Sequence, residues 1–178
     1  MFCKEKTNEI GKIGEKYVEE ILFPLWGVNF LNVTQTTPEL NCSFFQNVDI
    51  DYIISYTYTT DDLKNLVADT ININNKLFFD TNFDFIEVKT QTERNFIKDR
   101  EFRFDVIKCG GIPGGIAKTR AKKIVNVYLD SKTNRINSVI MVNLIELRKW
   151  MTKENNVKHI NRMKLNRNSS NIKNSFNL

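Results

Sequence analysis

The segment FDFIEVKT at 83–90 constrains the fold of this chain more than any other part of its sequence. Its aromatic and β-branched residues are typical of a buried strand. Side chains alternate between the two faces of a strand, so Glu87 and Lys89 share one face while Ile86 and Val88 occupy the other. A carboxylate and an ammonium group on a strand that is otherwise core material need a local reason, and a metal ion with a phosphate would supply one.

Length and composition favour one globular domain. The chain has 178 residues, of which 41% are hydrophobic, and it contains 13 Phe, so it can bury a core. Its formal net charge of +5 favours an anionic partner, although a modest positive balance is also common in proteins that bind no nucleic acid.

The cysteines and the hydropathy pattern bear on location. Cys3, Cys42 and Cys109 are widely separated and form no CxxC pair that could hold zinc, so we interpret them as reduced thiols. No apolar run approaches the roughly 18 residues of a membrane span, and charged residues follow the first Met closely. We therefore expect a cytoplasmic protein without a membrane anchor.

A first helix is predicted from about Asn8 to Leu22, where apolar residues recur at spacings of three and four. A Thr or Asn would cap it, and the Pro and Gly of the following FPLWG segment would end it. Gly11 and Gly14 each cost roughly 1 kcal/mol relative to Ala inside a helix, so another element should approach that surface closely. Glu15 follows them directly. It is either a site residue or a solvated carboxylate.

An acidic strand is predicted over VDIDYIISY at 48–56, after a strand near 28–33 and a loop. The alternation would place Asp49 and Asp51 on one face, where two carboxylates are costly to bury without a cation. The alternative is a strand end with both carboxylates in water.

Residues 57–82 are interpreted as an insertion, with a short helix around 63–67 and a hairpin around 74–75. Its aromatic residues either cover the core or face a ligand, and the sequence leaves both possibilities open. Inserted loops often carry partner recognition on a fixed scaffold.

Further along the chain, a strand is predicted over 101–107, and the loop CGGIPGG follows at 109–115. This loop has neither the dinucleotide-binding order of glycines nor the Lys of a P-loop. Cations follow it closely and could meet a phosphate chain, namely Lys118, Arg120, Lys122 and Lys123. A hairpin of strands at 124–129 and 136–142 and a helix at 144–151 complete the predicted elements.

From residue 153 the chain reads as a basic arm, helical at most as far as Leu165 and disordered after it. Lys158, Arg162 and Lys164 would add phosphate affinity that weakens as salt rises. The alternative is a solubilising tail. The single histidine, His159, lies in this arm and is expected to be a surface residue.

Together these features resemble the PD-(D/E)xK nuclease superfamily, in which a helix, a three-strand meander, a helix and another strand follow in that order. GKIGEK at 11–16 looks like the GxxGE helix motif of several branches, including archaeal-type junction resolvases and exonucleases. VDID looks like the acidic motif, and IEVKT at 86–90 looks like the (D/E)xK motif. GGIAKTRAKKIVNVYL is similar to the pattern that often precedes the fourth strand. The resemblance covers roughly residues 8–145.

The resemblance implies an α/β sandwich with a restriction-endonuclease-like core, a central mixed β-sheet flanked by helices, over residues 1–152. The catalytic residues that it implies are Asp51, Glu87, Lys89, Glu15 and Gln91. Asp51, Glu87 and the Val88 carbonyl would hold Mg²⁺, for which Mn²⁺ would substitute, and Asp49 would serve a second ion. Asp51 is preferred to Asp49 as the main ligand because the apolar run that follows it matches the usual strand.

The function that follows from the resemblance is a metal-dependent DNA endonuclease that hydrolyses phosphodiester bonds in duplex or branched DNA. A small type II restriction enzyme, a mobile-element nuclease and a Holliday-junction-resolvase-like enzyme all fit, and two-fold duplex substrates would favour a homodimer. No nucleotide cofactor or membrane is expected. The alternatives are a non-catalytic nucleic-acid-binding protein on the same fold and an α/β interaction domain.

Overall fold

The computed structural model describes residues 4–38, 40–69, 82–92, 101–107, 115–153 and 172–177. Helical segments and strands alternate along these ranges. In chain order they are α1 (Lys4–Tyr17), a π-helical segment (Val18–Leu22), α2 (Phe23–Trp26), β1 (Asn29–Asn32), α3 (Ser43–Asn47), β2 (Tyr52–Ser55), α4 (Thr60–Asp69), β3 (Asp84–Thr92), β4 (Glu101–Ile107), α5 (Gly115–Lys118), β5 (Lys123–Leu129), β6 (Ile136–Asn143), α6 (Leu144–Thr152) and β7 (Ile172–Asn177).

A five-stranded mixed sheet forms the centre of the fold, in the order β1-β2-β3-β5-β6. The pair β3–β5 is parallel and the other neighbours are antiparallel. In β5 every residue after Lys123 is buried, which is the pattern of a strand covered on both faces. The predicted α/β class with a mixed sheet flanked by helices is confirmed.

Two apolar clusters lie on the two faces of this sheet. One contains Val18 and Phe23 from the first helical segment together with Ile86 and Val125 from the central strands. The other contains Phe45 of α3, Leu63 of α4, Ile116 of α5 and Leu144 of α6, packed against strand residues that include Phe85. Because side chains alternate along β3, Glu87 and Lys89 lie on the same face as Phe85.

The first helical segment is longer than predicted at both ends. It begins at Lys4 and continues through Pro24 to Trp26, because Pro24 lies in the first turn of α2, where a missing N–H breaks no hydrogen bond. Gly27 ends it in the left-handed region with φ of 64°. The predicted boundaries at Asn8 and Leu22 were therefore wrong.

The acidic strand is shorter than predicted, and this changes the placement of its carboxylates. Residues 48–51 precede β2, and a short helix that the sequence did not reveal, α3, ends just before them. The N–H groups of Val48 and Asp49 donate to carbonyls of α3, and Asp49 has a φ of 51°. Asp49 and Asp51 therefore do not share a strand face, and that prediction was wrong.

Most of the other predicted elements are present. β1, β3, β5, β6 and α6 lie where the sequence placed them, and α4 contains the predicted helix at 63–67. The predicted hairpin around 74–75 and the glycine-rich loop before Gly115 lie outside the described residues. No helix within the described ranges is long and apolar enough to cross a membrane.

A second sheet corrects the prediction for the C-terminal segment. The strand predicted at 101–107 is present, but it pairs antiparallel with Ile172–Asn177 in a two-stranded sheet outside the central one. The expectation of disorder after Leu165 was therefore wrong for 172–177. The other candidate residues of the arm lie outside the described ranges, namely Lys158, His159, Arg162 and Lys164.

Candidate active site

The site begins where β2 and β3 part. The last register pair toward Asp51 is Tyr52 with Ile86, and the Asp51 N–H donates to the Ile86 carbonyl at 2.9 Å. Beyond this point the N–H of Val88 donates to Oδ2 of Asp51 at 2.7 Å. The Asp51 side chain thus takes the place of a strand neighbour, which fixes its carboxylate against the segment that carries Glu87 and Lys89.

Glu87 and Lys89 form an ion pair on one face of β3. Nζ of Lys89 lies 2.5 Å from Oε1 of Glu87, and the side chains are 39% and 4% exposed respectively. The ion pair uses only Oε1 of the Glu87 carboxylate. The other oxygen, Oε2, is buried without a hydrogen-bond partner among the described residues. A buried, unpaired carboxylate oxygen is costly, and a cation is the partner that would relieve it.

Burial and neighbouring carboxylates shift the protonation of Asp51. Burial raises the pKa of Asp51 to about 7, and the charges of Glu87 and Glu15 add to this effect. The hydrogen bond from Val88 and the charge of Lys89 act in the opposite direction but do not outweigh it. A cation bound here would favour the ionised form.

Burial and the neighbouring carboxylates also shift the pKa of Lys89. Burial lowers its pKa, but attraction to Glu87 and then to Asp51 and Asp49 outweighs burial, so the pKa of Lys89 is raised overall. The ammonium group is therefore charged at neutral pH. A charged lysine with a partly exposed side chain can reach a phosphate outside the ion pair.

Gly14 explains how Glu15 comes to the site. A Cβ atom at Gly14 would lie 1.9 Å from Oγ1 of Thr90, so only glycine allows α1 to lie this close to β3. The predicted close approach to this surface is confirmed at Gly14; at Gly11 a Cβ would meet nothing within 4 Å, although the Gly11 carbonyl accepts a hydrogen bond from Oγ1 of Thr90 at 3.5 Å. Burial raises the pKa of Glu15, as does the charge of Glu19.

Hydrogen bonds of Glu19 hold the π-helical segment against β1 and β2. Oε1 of Glu19 accepts hydrogen bonds from Nδ2 of Asn32 at 2.7 Å and from the Tyr52 hydroxyl at 3.0 Å. Burial raises the pKa of Tyr52, so this hydroxyl remains a donor. Because Glu15 lies one turn before Glu19, these contacts restrain its position above the sheet.

Asp49 belongs to a different set of contacts. Its Oδ1 lies 2.6 Å from Nζ of Lys118, and its carbonyl accepts a hydrogen bond from Oγ1 of Thr119 at 2.7 Å. The structure therefore places Asp51, rather than Asp49, beside Glu87. Gln91 is register-paired with Tyr128 across the parallel β3–β5 ladder.

The cations predicted to bind nucleic acid have partners within the chain. Lys118 pairs with Asp49, Nζ of Lys122 donates to the Phe83 carbonyl at 2.5 Å, and Lys123 pairs with Asp84. The helix before β5 is only the four-residue α5, and Arg120, Lys122 and Lys123 lie after it. Arg120 is exposed in the segment before β5.

Three residues near the site were missed by the sequence reasoning. Thr119 holds the Asp49 turn, and Arg148 donates to the carbonyls of Ile116 and Thr119 at 3.1 and 2.6 Å. Burial lowers the pKa of Arg148, and the charge of Glu87 acts against this, so Arg148 lies near that carboxylate. Asn126 is buried in β5, and the signal was present in the single polar residue inside IVNVYL.

The donor set suits a hard cation only in part. Among the described residues, no group of three or more His, Cys, Asp or Glu side chains is arranged to hold a metal ion. Two carboxylates, Asp51 and Glu87, do lie together, and Mg²⁺ commonly uses one or two carboxylates with waters and substrate phosphate as its remaining ligands. The residues present therefore fit a magnesium-type site better than a closed zinc site.

Comparison with protein-family models, with curated proteins and with solved structures found no match to this chain.

Proposed function

We propose that this chain is a metal-dependent endonuclease that hydrolyses phosphodiester bonds in DNA. The observation that carries the proposal is the meeting of Asp51 with the Glu87-Val88-Lys89 strand, through a hydrogen bond of 2.7 Å and an ion pair of 2.5 Å. Two acidic side chains and one lysine lie together at the point where two central strands part. This is the residue set that metal-assisted phosphodiester hydrolysis uses.

The order of the elements supports a restriction-endonuclease-like core. The helical segment that contains α1 precedes the antiparallel strands β1, β2 and β3, and α5 precedes β5, which lies parallel to β3. With α3, α4 and β4 set aside as intervening elements, this order agrees with the helix, meander, helix and strand order of the superfamily that the motifs resemble. Asp51 directly precedes the second strand and Glu87 lies on the third, close to where the acidic and (D/E)xK motifs of the superfamily are expected.

Each residue has a chemical role in this proposal. Asp51, Glu87 and the Val88 carbonyl would hold Mg²⁺, which lowers the pKa of bound water and neutralises charge on the phosphate. Lys89 orients the attacking water and contacts the scissile phosphate.

The remaining candidates act at the edges of this set. Glu15 would hold a water beside Asp51, and burial and the charge of Glu19 raise the pKa of Glu15. Gln91 is the next residue after Lys89 on the same face of β3, so it would help to position the attacking water. Asp49 is paired with Lys118 and supports the turn before Asp51.

Cleavage assays with matched variants test the proposal. Purified protein is incubated with supercoiled plasmid and Mg²⁺ or Mn²⁺, beside Glu87→Ala, Lys89→Ala and the control Lys149→Ala. Lys149 is a suitable control because it also pairs with a glutamate, Glu146, but on an exposed helix. We expect cleavage by the wild type and by Lys149→Ala, and a loss of 100-fold or more, on the order of general acid–base effects, in the other two.

The outcomes separate the candidate functions. Equal cleavage by Lys89→Ala and the wild type would rule out this site. Binding of duplex DNA without cleavage by the wild type would support the non-catalytic alternative. Discrete plasmid bands indicate a restriction-type enzyme, whereas selective cleavage of branched oligonucleotides indicates a junction resolvase. A homodimer is proposed for a duplex substrate with two-fold symmetry, and sedimentation of the protein on such a duplex tests it.

A further inference from the structure

Asn126 is a buried amide in the middle of β5. Its side chain is 1% exposed, and neither Nδ2 nor Oδ1 has a hydrogen-bond partner among the described residues. Most buried polar groups in folded proteins are hydrogen-bonded, and an unpaired amide is a marked exception. The exception points to a partner that is acquired in another state of the site.

The register of the sheet identifies that partner. Asn126 is paired with Lys89 across the parallel β3–β5 ladder and with Ile140 on the other side. Register-paired residues lie on the same face of a sheet, in strands about 4.8 Å apart. The amide of Asn126 therefore lies beside the stem of Lys89, on the face that also carries Glu87.

The Glu87 carboxylate accepts from the ammonium group of Lys89, and the same carboxylate could bind a cation. Its ammonium group lies 2.5 Å from Oε1 of Glu87. A cation held by Glu87 would draw the same carboxylate, because its other oxygen, Oε2, is buried and has no hydrogen-bond partner in the described part of the chain. The ammonium group would then need a neutral acceptor that does not compete for the cation, and Oδ1 of a neighbouring asparagine is such an acceptor.

We propose that Asn126 is a positioning residue, and that its side-chain oxygen accepts a hydrogen bond from Lys89 when the Glu87 carboxylate is engaged elsewhere. The amide keeps the ammonium group directed across the β3–β5 face and so toward a phosphate at the site. The role of Lys89 in hydrolysis rests on the proposed function. The exchange of acceptors does not, because it follows from the positions of Lys89, Glu87 and Asn126 alone.

A double-mutant cycle in thermal unfolding tests the exchange without DNA or metal. Asn126→Leu replaces the amide with an apolar side chain of similar shape, and Glu87→Ala removes the acceptor that Lys89 now uses. In the wild-type background we expect Asn126→Leu to raise Tm by roughly 2–4 °C, because it removes an unpaired buried amide. In the Glu87→Ala background we expect the same change to lower Tm by a similar amount, because Asn126 then carries the hydrogen bond from Lys89.

The reversal of sign is the decisive observation. A purely structural asparagine, or one satisfied by an enclosed water, would shift Tm in the same direction in both backgrounds, and that result would overturn the proposal. Asn126→Val is measured in parallel, since a β-branched residue suits the strand if leucine packs poorly. Ser138→Ala is the matched control, because Oγ of Ser138 is also buried on this face, opposite Tyr128, and has no hydrogen-bond partner within the ranges that the structure describes.

A structural measurement completes the test. In a crystal structure of metal-free Glu87→Ala, we expect Nζ of Lys89 within hydrogen-bond distance of Oδ1 of Asn126. An ammonium group directed into solvent would contradict the proposal. These results stand apart from the plasmid assay, so loss of the proposed nuclease function and loss of the Asn126 exchange are distinguishable.

Discussion

The backbone N–H of Val88 donates a hydrogen bond to Oδ2 of Asp51 at 2.7 Å, although the two residues are 37 positions apart in the chain. This bond joins the end of the acidic segment to the strand that carries the Glu87–Lys89 pair. It restrains the Asp51 carboxylate to a position in which it is partly buried and close to other carboxylates. The energetics of this position lead to the first prediction.

Asp51→Asn should stabilise the metal-free protein above neutral pH. Burial and the charges of Glu87 and Glu15 raise the pKa of Asp51 to about 7, from 3.8 in an unfolded chain. Between these pH values the unfolded state loses the proton first, so the wild-type free energy of unfolding falls as pH rises from about 4 to 7. We expect a gain of roughly 2 kcal/mol for Asp51→Asn at pH 8, since the shift corresponds to at most about 4 kcal/mol.

Urea unfolding of both proteins from pH 5 to pH 8 measures this effect. The difference between them should be small at pH 5 and greatest at pH 8. Asp61→Asn is the control, because Asp61 is 85% exposed and its loss should change little. A wild-type protein that gains stability relative to Asp51→Asn as pH rises would contradict the predicted direction.

Alanine substitutions at the two helical glycines should have opposite effects. Gly14→Ala would place a Cβ 1.9 Å from Oγ1 and 3.0 Å from Cβ of Thr90, so α1 or β3 must shift. We expect a loss of roughly 1–3 kcal/mol, as for an overpacked core. Gly11→Ala meets nothing within 4 Å and should stabilise the helix by roughly 0.5–1 kcal/mol.

Thr90→Ala is the compensating change for the glycine pair. It removes the Oγ1 atom that the new Cβ would meet, so it should restore part of the stability lost in Gly14→Ala, whereas Gly11→Ala has no clash for it to relieve. Thermal unfolding of Gly14→Ala, of Gly11→Ala and of each combined with Thr90→Ala tests this prediction. Equal stability of Gly14→Ala and Gly11→Ala would contradict the close packing of α1 on β3.

The sequence was sufficient for those parts of the site that depend on local alternation. The period of two along β3 placed Glu87 and Lys89 on one face correctly. The same rule failed at Asp49 because α3 ends in a turn with positive φ there, and turn geometry overrides alternation.

Long-range pairing was the other limit. The contact of Asp51 with Val88 depends on where β2 stops pairing with β3, which no local pattern encodes. The pairing of β4 with the C-terminal strand β7 joins segments about seventy residues apart, and the low hydrophobicity of the latter favoured disorder. Asn126 was visible in the sequence, but its lack of a partner required the structure.

Lys89→Met should destabilise the protein, and Glu87→Gln should compensate. Removal of Lys89 leaves the 4% exposed Glu87 carboxylate without its ion pair, and breaking a buried pair in this way commonly costs about 3–5 kcal/mol. Because Lys89 is 39% exposed, solvent reduces the expected loss to roughly 1–3 kcal/mol. The double variant should recover most of it, since no uncompensated buried charge remains.

Denaturant unfolding of the single and double variants gives the coupling energy. Lys149→Met is the control, because its pair with Glu146 is two-thirds exposed on both sides and should contribute less than about 1 kcal/mol. Additive losses in the Glu87→Gln/Lys89→Met protein would show that the two side chains do not act as a pair.

Divalent cations should raise Tm through Asp51 and Glu87 but not through Asp49. Two carboxylates lie together at the strand junction, and Oε2 of Glu87 lacks a partner among the residues that the structure describes, whereas Asp49 is held by Lys118. Ligand binding to the native state alone adds about 2.7 kcal/mol when the ion is at 100 times its Kd. We therefore expect Mg²⁺ or Mn²⁺ to raise Tm of the wild type and of Asp49→Asn, and to leave Asp51→Asn and Glu87→Gln unchanged.

Because the pKa of Asp51 is about 7, protons compete with the ion, and the shift measured by differential scanning fluorimetry should shrink from pH 8 to pH 6. An equal shift in all four proteins would place the bound ion elsewhere.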